Sequence, residues 1–104
     1  MDKYRILLSQ NAKDDIIEIH NYITYVLLSP DISHKFFKGL RKSISQLSFF
    51  PYKFPLVRNK LFKNMEYHYM PYKNYLVFYE VIEKQNCVNV LRIVYKKRNW
   101  NNSI

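Results

Sequence analysis

The spacing of apolar residues changes once along this chain, and that change limits what the chain can fold into. Between residues 12 and 47 the apolar residues recur every three or four positions, which is the period of an amphipathic helix. Between residues 65 and 95 they form short runs rich in β-branched and aromatic residues, which is typical of strands. A short apolar run, Tyr4–Leu8, precedes the helical part. The sequence therefore predicts the order β-α-α-β-β-β in a single domain over residues 1–104.

Two amphipathic helices are predicted in the first half. The first begins at a cap on Ser9 or Asn11 and ends near Pro30. The second ends before Pro51, because proline disfavours helical dihedrals in the residue that precedes it. Their short connection predicts an antiparallel helical hairpin. The apolar stripes of the two helices comprise Ala12, Ile16, Ile19, Ile23, Val26, Leu27, Ile32, Phe36, Leu40, Ile44 and Leu47.

Three strands are predicted in the second half, at Met65–Met70, Tyr75–Ile82 and Cys87–Tyr95. Short turns join them, so they form an antiparallel meander. The helical hairpin must cover one face of this sheet to bury both stripes. The predicted class is α+β, with a helical hairpin packed on one face of a small antiparallel sheet. The residues expected to be largely buried are Ile16, Ile19, Ile23, Phe36, Leu40, Ile44, Val77 and Val90.

The composition excludes several classes of function. The one glycine, Gly39, cannot form a Gly-rich phosphate loop, and the one cysteine, Cys87, cannot form an internal disulfide or a thiolate zinc site. Three scattered histidines show no metal-ligand spacing, so we predict no metal and no cofactor. Residues 1–8 lack the apolar core of a signal peptide, and no apolar stretch approaches the ~20 residues that span a bilayer. We therefore expect a cytoplasmic protein without a membrane partner.

Positive charge is concentrated in the second half of the chain. The net charge is +9, and residues 52–104 carry ten Lys or Arg against three Asp or Glu. The connection at residues 52–64 contributes to this charge, and so does the run Lys96-Lys97-Arg98. Such a field favours a nucleic acid, an acidic protein segment or an anionic surface as partner, and charge alone does not choose among them.

Four phrases along the chain carry a family resemblance. They are Ser9, Ala12, Asp14, Asp15, Ile19 and Tyr22-Ile23; Phe49-Phe50-Pro51; Tyr75-Leu76-Val77-Phe78-Tyr79; and Arg92-Ile93-Val94-Tyr95-Lys96-Lys97-Arg98-Asn99-Trp100. In this order, and on these predicted elements, they resemble the RelE/ParE superfamily of toxins from type II toxin–antitoxin pairs. The resemblance covers nearly the whole chain and is nearer to the ParE branch, which is also described as plasmid-stabilisation proteins.

The resemblance implies a partner and two possible activities. The partner is a cognate antitoxin, whose acidic C-terminal segment we expect to wrap the helical hairpin and the sheet. RelE-like members cleave messenger RNA on the ribosome without a metal. ParE-like members poison DNA gyrase, for which they need an interaction surface rather than catalytic groups. In either case the toxin inhibits growth until the antitoxin neutralises it.

The residues on the third strand favour the ParE-like activity. RelE-like ribonucleases carry an arginine after the first tyrosine of this strand, and Leu76 stands there in this chain. Leucine cannot replace the bidentate phosphate contact of a guanidinium. If the chain were nevertheless a ribonuclease, His68, Tyr95 and Arg98 are its candidate catalytic residues. For the gyrase-poisoning activity, the candidate target-binding residues are Lys96, Lys97, Arg98 and Trp100.

Two further interpretations stay open at this point. The charge and the many aromatic residues also fit a generic nucleic-acid-binding module, whose affinity would depend on salt. A non-toxic interaction module of the same fold would bind its antitoxin without arresting growth. The sequence does not determine the antitoxin family, the antitoxin-binding residues or the oligomeric state.

Overall fold

The elements of the fold follow the predicted order. A computed structural model describes residues 3–58 and 65–97, and within these ranges it contains two helices and four strands. The elements are β1 (Arg5–Leu8), α1 (Gln10–Asn21), a π-helical turn (Tyr22–Val26), α2 (Pro30–Gln46), β2 (Tyr67–Tyr72), β3 (Tyr75–Ile82) and β4 (Cys87–Tyr95). The class is α+β, with the helical hairpin packed against the sheet.

The sheet has the strand order β1-β4-β3-β2. Strands β2, β3 and β4 form the predicted antiparallel meander. Strand β1 adds one parallel pair, from Arg5 opposite Cys87 to Leu8 opposite Val90, so the sheet is mixed. A parallel neighbour requires a long connection, and here the hairpin and the two strands β2 and β3 supply it.

The start of α1 is fixed by Ser9, one of the two caps that the sequence allowed. The Ser9 hydroxyl oxygen accepts a hydrogen bond from the Ala12 amide at 3.0 Å, which is the usual N-cap contact. The same hydroxyl donates to the Leu91 carbonyl at 2.7 Å. A single side chain therefore caps the helix and ties it to β4.

The end of the first helix differs from the prediction. α1 continues into the π-helical turn, and Leu28 then takes a left-handed conformation with φ of 51°. A π-turn holds more residues per turn than an α-helix, so it rotates the following side chains away from the buried stripe. Val26 and Leu27 were predicted to be buried and are exposed, which makes that part of the prediction wrong. Ile32, at the start of α2, is also exposed rather than buried.

Strand β2 lies two residues later than predicted and contains Pro71. Proline cannot donate a ladder hydrogen bond, so it is unfavourable inside a sheet. The structure allows the proline because β2 is an edge strand, where one side of the backbone needs no partner strand.

The core lies between the hairpin and the sheet. Of the eight residues expected there, seven are buried and Ile16 is half-buried against the same cluster. Both helices cover one face, as predicted. A smaller cluster of Val57, Phe78 and Val94 lies on the opposite face of the sheet, under the segment that follows α2.

Gly39 is used for close packing rather than for a turn. It lies within α2, and a Cβ atom at this position would collide with the Tyr72 hydroxyl. That hydroxyl donates to the Phe36 carbonyl at 2.7 Å. The missing side chain therefore lets β2 reach the backbone of α2.

Candidate functional site

The end of β4 presents an exposed basic and aromatic surface. Tyr95, Lys96 and Lys97 are exposed, and the Lys96 amide donates to the Asn74 carbonyl at 2.9 Å. The Tyr95 ring lies 5.7 Å from the Tyr75 ring, centroid to centroid. The two other predicted target-binding residues, Arg98 and Trp100, lie outside the described residues.

A cleft of about 330 Å³ opens beside this surface, between α1 and β4. Its polar groups include the carboxylates of Asp15 and Glu18 and the phenols of Tyr22, Tyr75 and Tyr95. Burial raises the pKa of Tyr75 above its ordinary value, and the neighbouring phenols and Glu18 add to that effect. The cleft therefore contains two carboxylates, although the surface next to it is basic.

Asp15 accepts a backbone hydrogen bond from the part of β4 that has no pairing with β1. β1 ends at Leu8, opposite Val90, so the next residues of β4 have no strand beside them on that side. The Asp15 Oδ2 atom accepts from the Ile93 amide at 2.9 Å and from Arg92 Nε at 2.8 Å. Its Oδ1 atom accepts from Arg92 Nη2 at 2.9 Å. This bidentate contact also raises the pKa of the Arg92 guanidinium.

His68 is buried, and its side chain packs against neighbouring residues of the fold. Its Nδ1 atom lies 2.8 Å from the Phe54 carbonyl oxygen, so Nδ1 carries the proton and donates. Its ring stacks on Tyr79 with centroids 5.0 Å apart and meets the edge of Tyr52 at 5.8 Å. The Tyr79 hydroxyl donates to the Pro51 carbonyl at 2.7 Å, and burial raises the pKa of Tyr79 to about 12. Together these contacts hold residues 51–54 against the sheet.

The structure does not bring His68 and Tyr95 together. His68 pairs with Tyr79 across β2 and β3, whereas Tyr95 pairs with Tyr75 across β3 and β4. Tyr75 and Tyr79 are four residues apart, so the two candidates are separated by about 13 Å along the strand direction alone. The third candidate, Arg98, lies outside the described residues.

An apolar cluster lies on the sheet face opposite the helices. Leu76 lies on this face and packs against the small cluster of Val57, Phe78 and Val94, with Tyr67, Tyr69 and Leu91 around them. Val57 reaches this face because its amide donates to the Tyr67 carbonyl at 2.6 Å. The position at which the ribonuclease relatives carry arginine is therefore part of a hydrophobic cluster.

A cluster of two phenols and a carboxylate joins the start of the chain to the turn before β4. Glu83 Oε1 accepts from the Tyr4 hydroxyl at 2.8 Å and from the Tyr52 hydroxyl. The hydrogen bond to Glu83 is the main reason why the pKa of Tyr52 rises to about 12. The same two phenols lower the pKa of Glu83.

Sequence reasoning missed a groove on the outer side of the hairpin. This hairpin groove has a volume of about 700 Å³. It is lined by Ile16, Ile17, His20, Thr24, Pro30, Ser33, His34, Phe37, Lys38 and Arg41. The sequence contained one sign of this groove. Ser33 is a polar residue, and it lies one turn before the apolar residues Phe36 and Phe37 of α2.

The described part of the chain shows neither a metal-binding cluster nor a helix that could span a membrane. Within residues 3–58 and 65–97, no three side chains of His, Cys, Asp or Glu are grouped in a way that could hold a metal ion. None of the helices described there is long and apolar enough to span a bilayer.

The fold is shared with chains from two type II toxin–antitoxin systems. It is similar to a chain of the chromosomal ParDE toxin–antitoxin system from P. aeruginosa, with a TM-score of 0.72 and 13% identity over 89% of this chain and 96% of the other. It is also similar to a chain of the RelBE2 toxin–antitoxin complex from Mycobacterium tuberculosis, with a TM-score of 0.58 and 15% identity over 89% and 98%. At these levels of sequence identity, the similarity shows a shared fold and nothing more.

The family follows from the sequence. The model of the ParE toxin of the type II toxin–antitoxin system parDE matches residues 6–100. Comparison with curated proteins gives no significant match. The chain belongs to the ParE toxin family and is a toxin of a type II toxin–antitoxin system, for which an antitoxin is the natural partner.

Proposed function

We propose that this toxin poisons DNA gyrase and that its antitoxin neutralises it through an acidic C-terminal segment. The proposal that the toxin poisons gyrase rests on one observation, the apolar cluster around Leu76 on the sheet face opposite the helices. On this face the ribonuclease branch needs cationic side chains, whereas here Leu76 packs with Val57 and Val94.

Cleavage of RNA by its own 2′-hydroxyl makes three demands on an enzyme. A base must remove the proton, a cation must stabilise the extra charge on the phosphate, and an acid must protonate the leaving oxygen. Loss of one preorganised cationic donor costs roughly 3 kcal/mol, or about a hundredfold in rate. Leu76 supplies no such donor, which disfavours the ribonuclease.

The environment of His68 also favours a binding protein. Its Nδ1 atom is engaged with the Phe54 carbonyl, and its ring is packed between Tyr79 and Tyr52. Tyr95 lies at the far end of the sheet. A catalytic set of His68, Tyr95 and Arg98 would require His68 and Tyr95 to act on one phosphate although they lie about 13 Å apart along the strand direction.

The proposed contact with gyrase is the basic end of β4. Lys96 and Lys97 are exposed there, beside the exposed ring of Tyr95. Arg98 and Trp100 follow in the sequence. Arginine and tryptophan are the residue types that most often dominate binding energy at protein interfaces.

Two assays on purified components test the proposal. We expect increasing toxin to inhibit supercoiling by gyrase, and the Arg98→Ala variant to require at least about tenfold more toxin. Lys84→Ala is the matched control, because Lys84 is exposed in the turn before β4. Messenger RNA on translating ribosomes should stay intact in the same preparations.

The opposite outcomes identify the competing functions. Codon-linked cleavage with unaffected gyrase would overturn the proposal and favour catalysis by His68, Tyr95 and Arg98. Salt-dependent binding to DNA or RNA without growth arrest would instead identify a nucleic-acid-binding module of this fold.

A further inference from the structure

The cleft between α1 and β4 has no role in the proposed contact with gyrase, which uses the exposed end of β4. The buried apolar residues that line this cleft are Ile19, Ile93 and Val94. Its volume of about 330 Å³ is at the lower end of the range for sites that bind small molecules. The cleft is therefore of a size that suits one small planar group.

Three phenol rings from three different elements meet at this cleft. Tyr22 comes from the π-helical turn, Tyr75 from the start of β3 and Tyr95 from the end of β4. The rings of Tyr75 and Tyr95 lie 5.7 Å apart, centroid to centroid, at an angle of 52°. Tyr22 and Tyr95 are 49% and 43% exposed, so a ligand can reach both rings. Exposed aromatic rings at the edge of a cleft provide a surface on which a planar ligand can stack.

The two carboxylates of the cleft differ in what they can bind. Both oxygens of Asp15 accept hydrogen bonds from Arg92, which also balances the charge of Asp15. Glu18 lies one turn further along α1 and is exposed, and among the described residues its carboxylate accepts no side-chain hydrogen bond. It is close enough to the phenols to contribute to the raised pKa of Tyr75. A carboxylate has two acceptor oxygens side by side, so Glu18 favours a ligand with two adjacent N–H donors.

Guanine and the guanidinium of arginine are both planar groups with two adjacent N–H donors. In guanine the N1–H and the N2 amino group lie side by side on the Watson–Crick edge. Adenine, cytosine and uracil place a donor next to an acceptor on that edge, so they cannot give two hydrogen bonds to one carboxylate. Unpaired bases are commonly recognised by stacking on tyrosine together with hydrogen bonds to the Watson–Crick edge.

The charges beside the cleft favour guanine over arginine. Lys96 and Lys97 are exposed and directly follow Tyr95. The Lys96 amide donates to the Asn74 carbonyl at 2.9 Å, which places the exposed Lys73 beside them. These cations repel an arginine of a partner protein and attract the phosphate of a nucleotide.

We propose that the cleft between α1 and β4 binds an unpaired guanine nucleotide, with its base stacked on the phenols, its two donors on Glu18 and its phosphate beside Lys96 and Lys97. A free nucleotide and an unpaired base in a single-stranded nucleic acid offer the same chemistry. The proposal goes beyond gyrase poisoning and does not depend on it, because none of its steps involves gyrase.

The test measures binding of GMP, AMP, CMP and UMP to the purified full-length toxin by calorimetry, without gyrase. We expect GMP to bind at least about tenfold more tightly than each of the others, because only guanine gives two hydrogen bonds to Glu18. Guanosine should bind at least about fivefold more weakly than GMP. Added salt should reduce that difference, because it screens the attraction between the phosphate and the lysines.

Single-stranded oligonucleotides identify the source of the nucleotide. The probes are a run of thymines and the same run with one central guanine. Tighter binding of the guanine-containing strand than of GMP identifies a nucleic acid, and the reverse identifies a free nucleotide. Either result supports the site, provided that the thymine run binds at least about tenfold more weakly than the guanine-containing strand.

The Glu18→Gln variant separates recognition of guanine from a structural role. Glutamine has the same length but replaces one acceptor by a donor. The affinity for GMP should therefore fall at least about tenfold, whereas the affinity for AMP should stay within about twofold. Asp14→Asn is the matched control, because it removes the same charge from an exposed position of α1 outside the cleft. It should change the affinity for GMP less than about twofold, and both variants should keep the wild-type urea midpoint.

The Tyr22→Leu variant tests stacking. It should lower the affinity for all four nucleotides by about tenfold, because stacking on an aromatic ring does not depend on the identity of the base. Tyr25→Leu is the control, since Tyr25 is 68% exposed on the same π-helical turn and does not line the cleft.

Four outcomes would overturn the proposal. They are no measurable binding of GMP to the wild-type toxin, equal affinity for the four nucleotides, equal loss of GMP affinity in Glu18→Gln and Asp14→Asn, and tighter binding of an arginine-containing peptide than of GMP. The last outcome would identify the cleft as a site for a protein partner. The supercoiling assay tests gyrase poisoning separately, so failure of either proposal leaves the other standing.

Discussion

Single residues in this fold join elements that lie far apart in the sequence. Asp15 is the clearest case, because one carboxylate binds the Arg92 side chain and the Ile93 amide of β4. Ser9 does the same at the start of α1 through its contact with the Leu91 carbonyl. Both residues belong to the first phrase that carried the family resemblance, and their contacts give that phrase a physical reason.

The Asp15→Ala variant should lower the free energy of unfolding by about 3 kcal/mol, because it leaves the Arg92 charge without this carboxylate in a largely buried site. Urea denaturation measures the effect. Asp14→Ala is the neighbouring control. Asp14 is exposed and accepts only an exposed contact from Gln10, so its loss should cost less than about 0.5 kcal/mol. Equal losses in the two variants would contradict this prediction.

The His68→Ala variant should lower the free energy of unfolding by about 2 kcal/mol, because the partly buried Phe54 carbonyl loses its donor and Tyr79 loses a stacked ring. His68→Asn keeps a donor near the place of Nδ1 and should recover part of the loss. Inhibition per folded molecule should remain at the wild-type level in both variants. A folded variant that has lost its toxicity would instead point to a chemical role for His68.

At the level of elements, the tip of the hairpin is the least regular part of the described helices. The π-helical turn ends at Val26, and Leu28 adopts φ of 51°, which is unfavourable for a bulky residue. The Leu28 side chain is 77% exposed, so packing within the chain does not offset that cost. The short connection between α1 and α2 requires this conformation, because the chain must reverse before Pro30.

The Leu28→Gly variant should therefore raise the free energy of unfolding by about 1 kcal/mol, since glycine takes a left-handed conformation without a steric penalty. Leu27→Gly is the control. Leu27 has φ of −86° and is also exposed, so glycine there gains nothing and costs chain entropy. Thermal denaturation compares the two, and a loss of stability in Leu28→Gly would refute the explanation.

At the level of the whole molecule, the surface is divided by charge. The hairpin groove and the end of β4 are basic, whereas the cleft between α1 and β4 contains Asp15 and Glu18. A domain of 104 residues buries only about two-thirds of its unfolded surface, so its own stability margin is small. A partner that binds the folded state therefore changes the free energy of unfolding by a large fraction of its value.

Co-expression with the antitoxin should raise the soluble yield and abolish growth arrest. Binding to the folded state adds about 2.7 kcal/mol when free antitoxin is at about 100 times its Kd. The measurement is the unfolding temperature of the purified toxin with and without antitoxin, together with growth of the expressing cells. A third culture, expressing the antitoxin alone, controls for its own effect. Equal growth and equal yield with and without the antitoxin would contradict the prediction.

Much of this fold was predictable because local spacing decides it. The helical period placed Ile19, Phe36 and Leu40 in the core, and the apolar runs located β3 and β4 at the residues where they lie. The residue type at Leu76 is by itself enough to argue against a phosphate contact there. Such inferences need only the residue types and their distances along the chain.

Only the tertiary structure decided which distant groups meet. It separated His68 from Tyr95, because strand register sets their distance and no local pattern encodes that register. It exposed Val26 and Leu27, because the hairpin closes through a π-helical turn. It also left the Ser33 hydroxyl buried without a partner among the described residues, since hydrogen-bond satisfaction depends on groups from both helices. The sequence by itself determined the elements and the family, and the packing of those elements determined which side chains are free to bind.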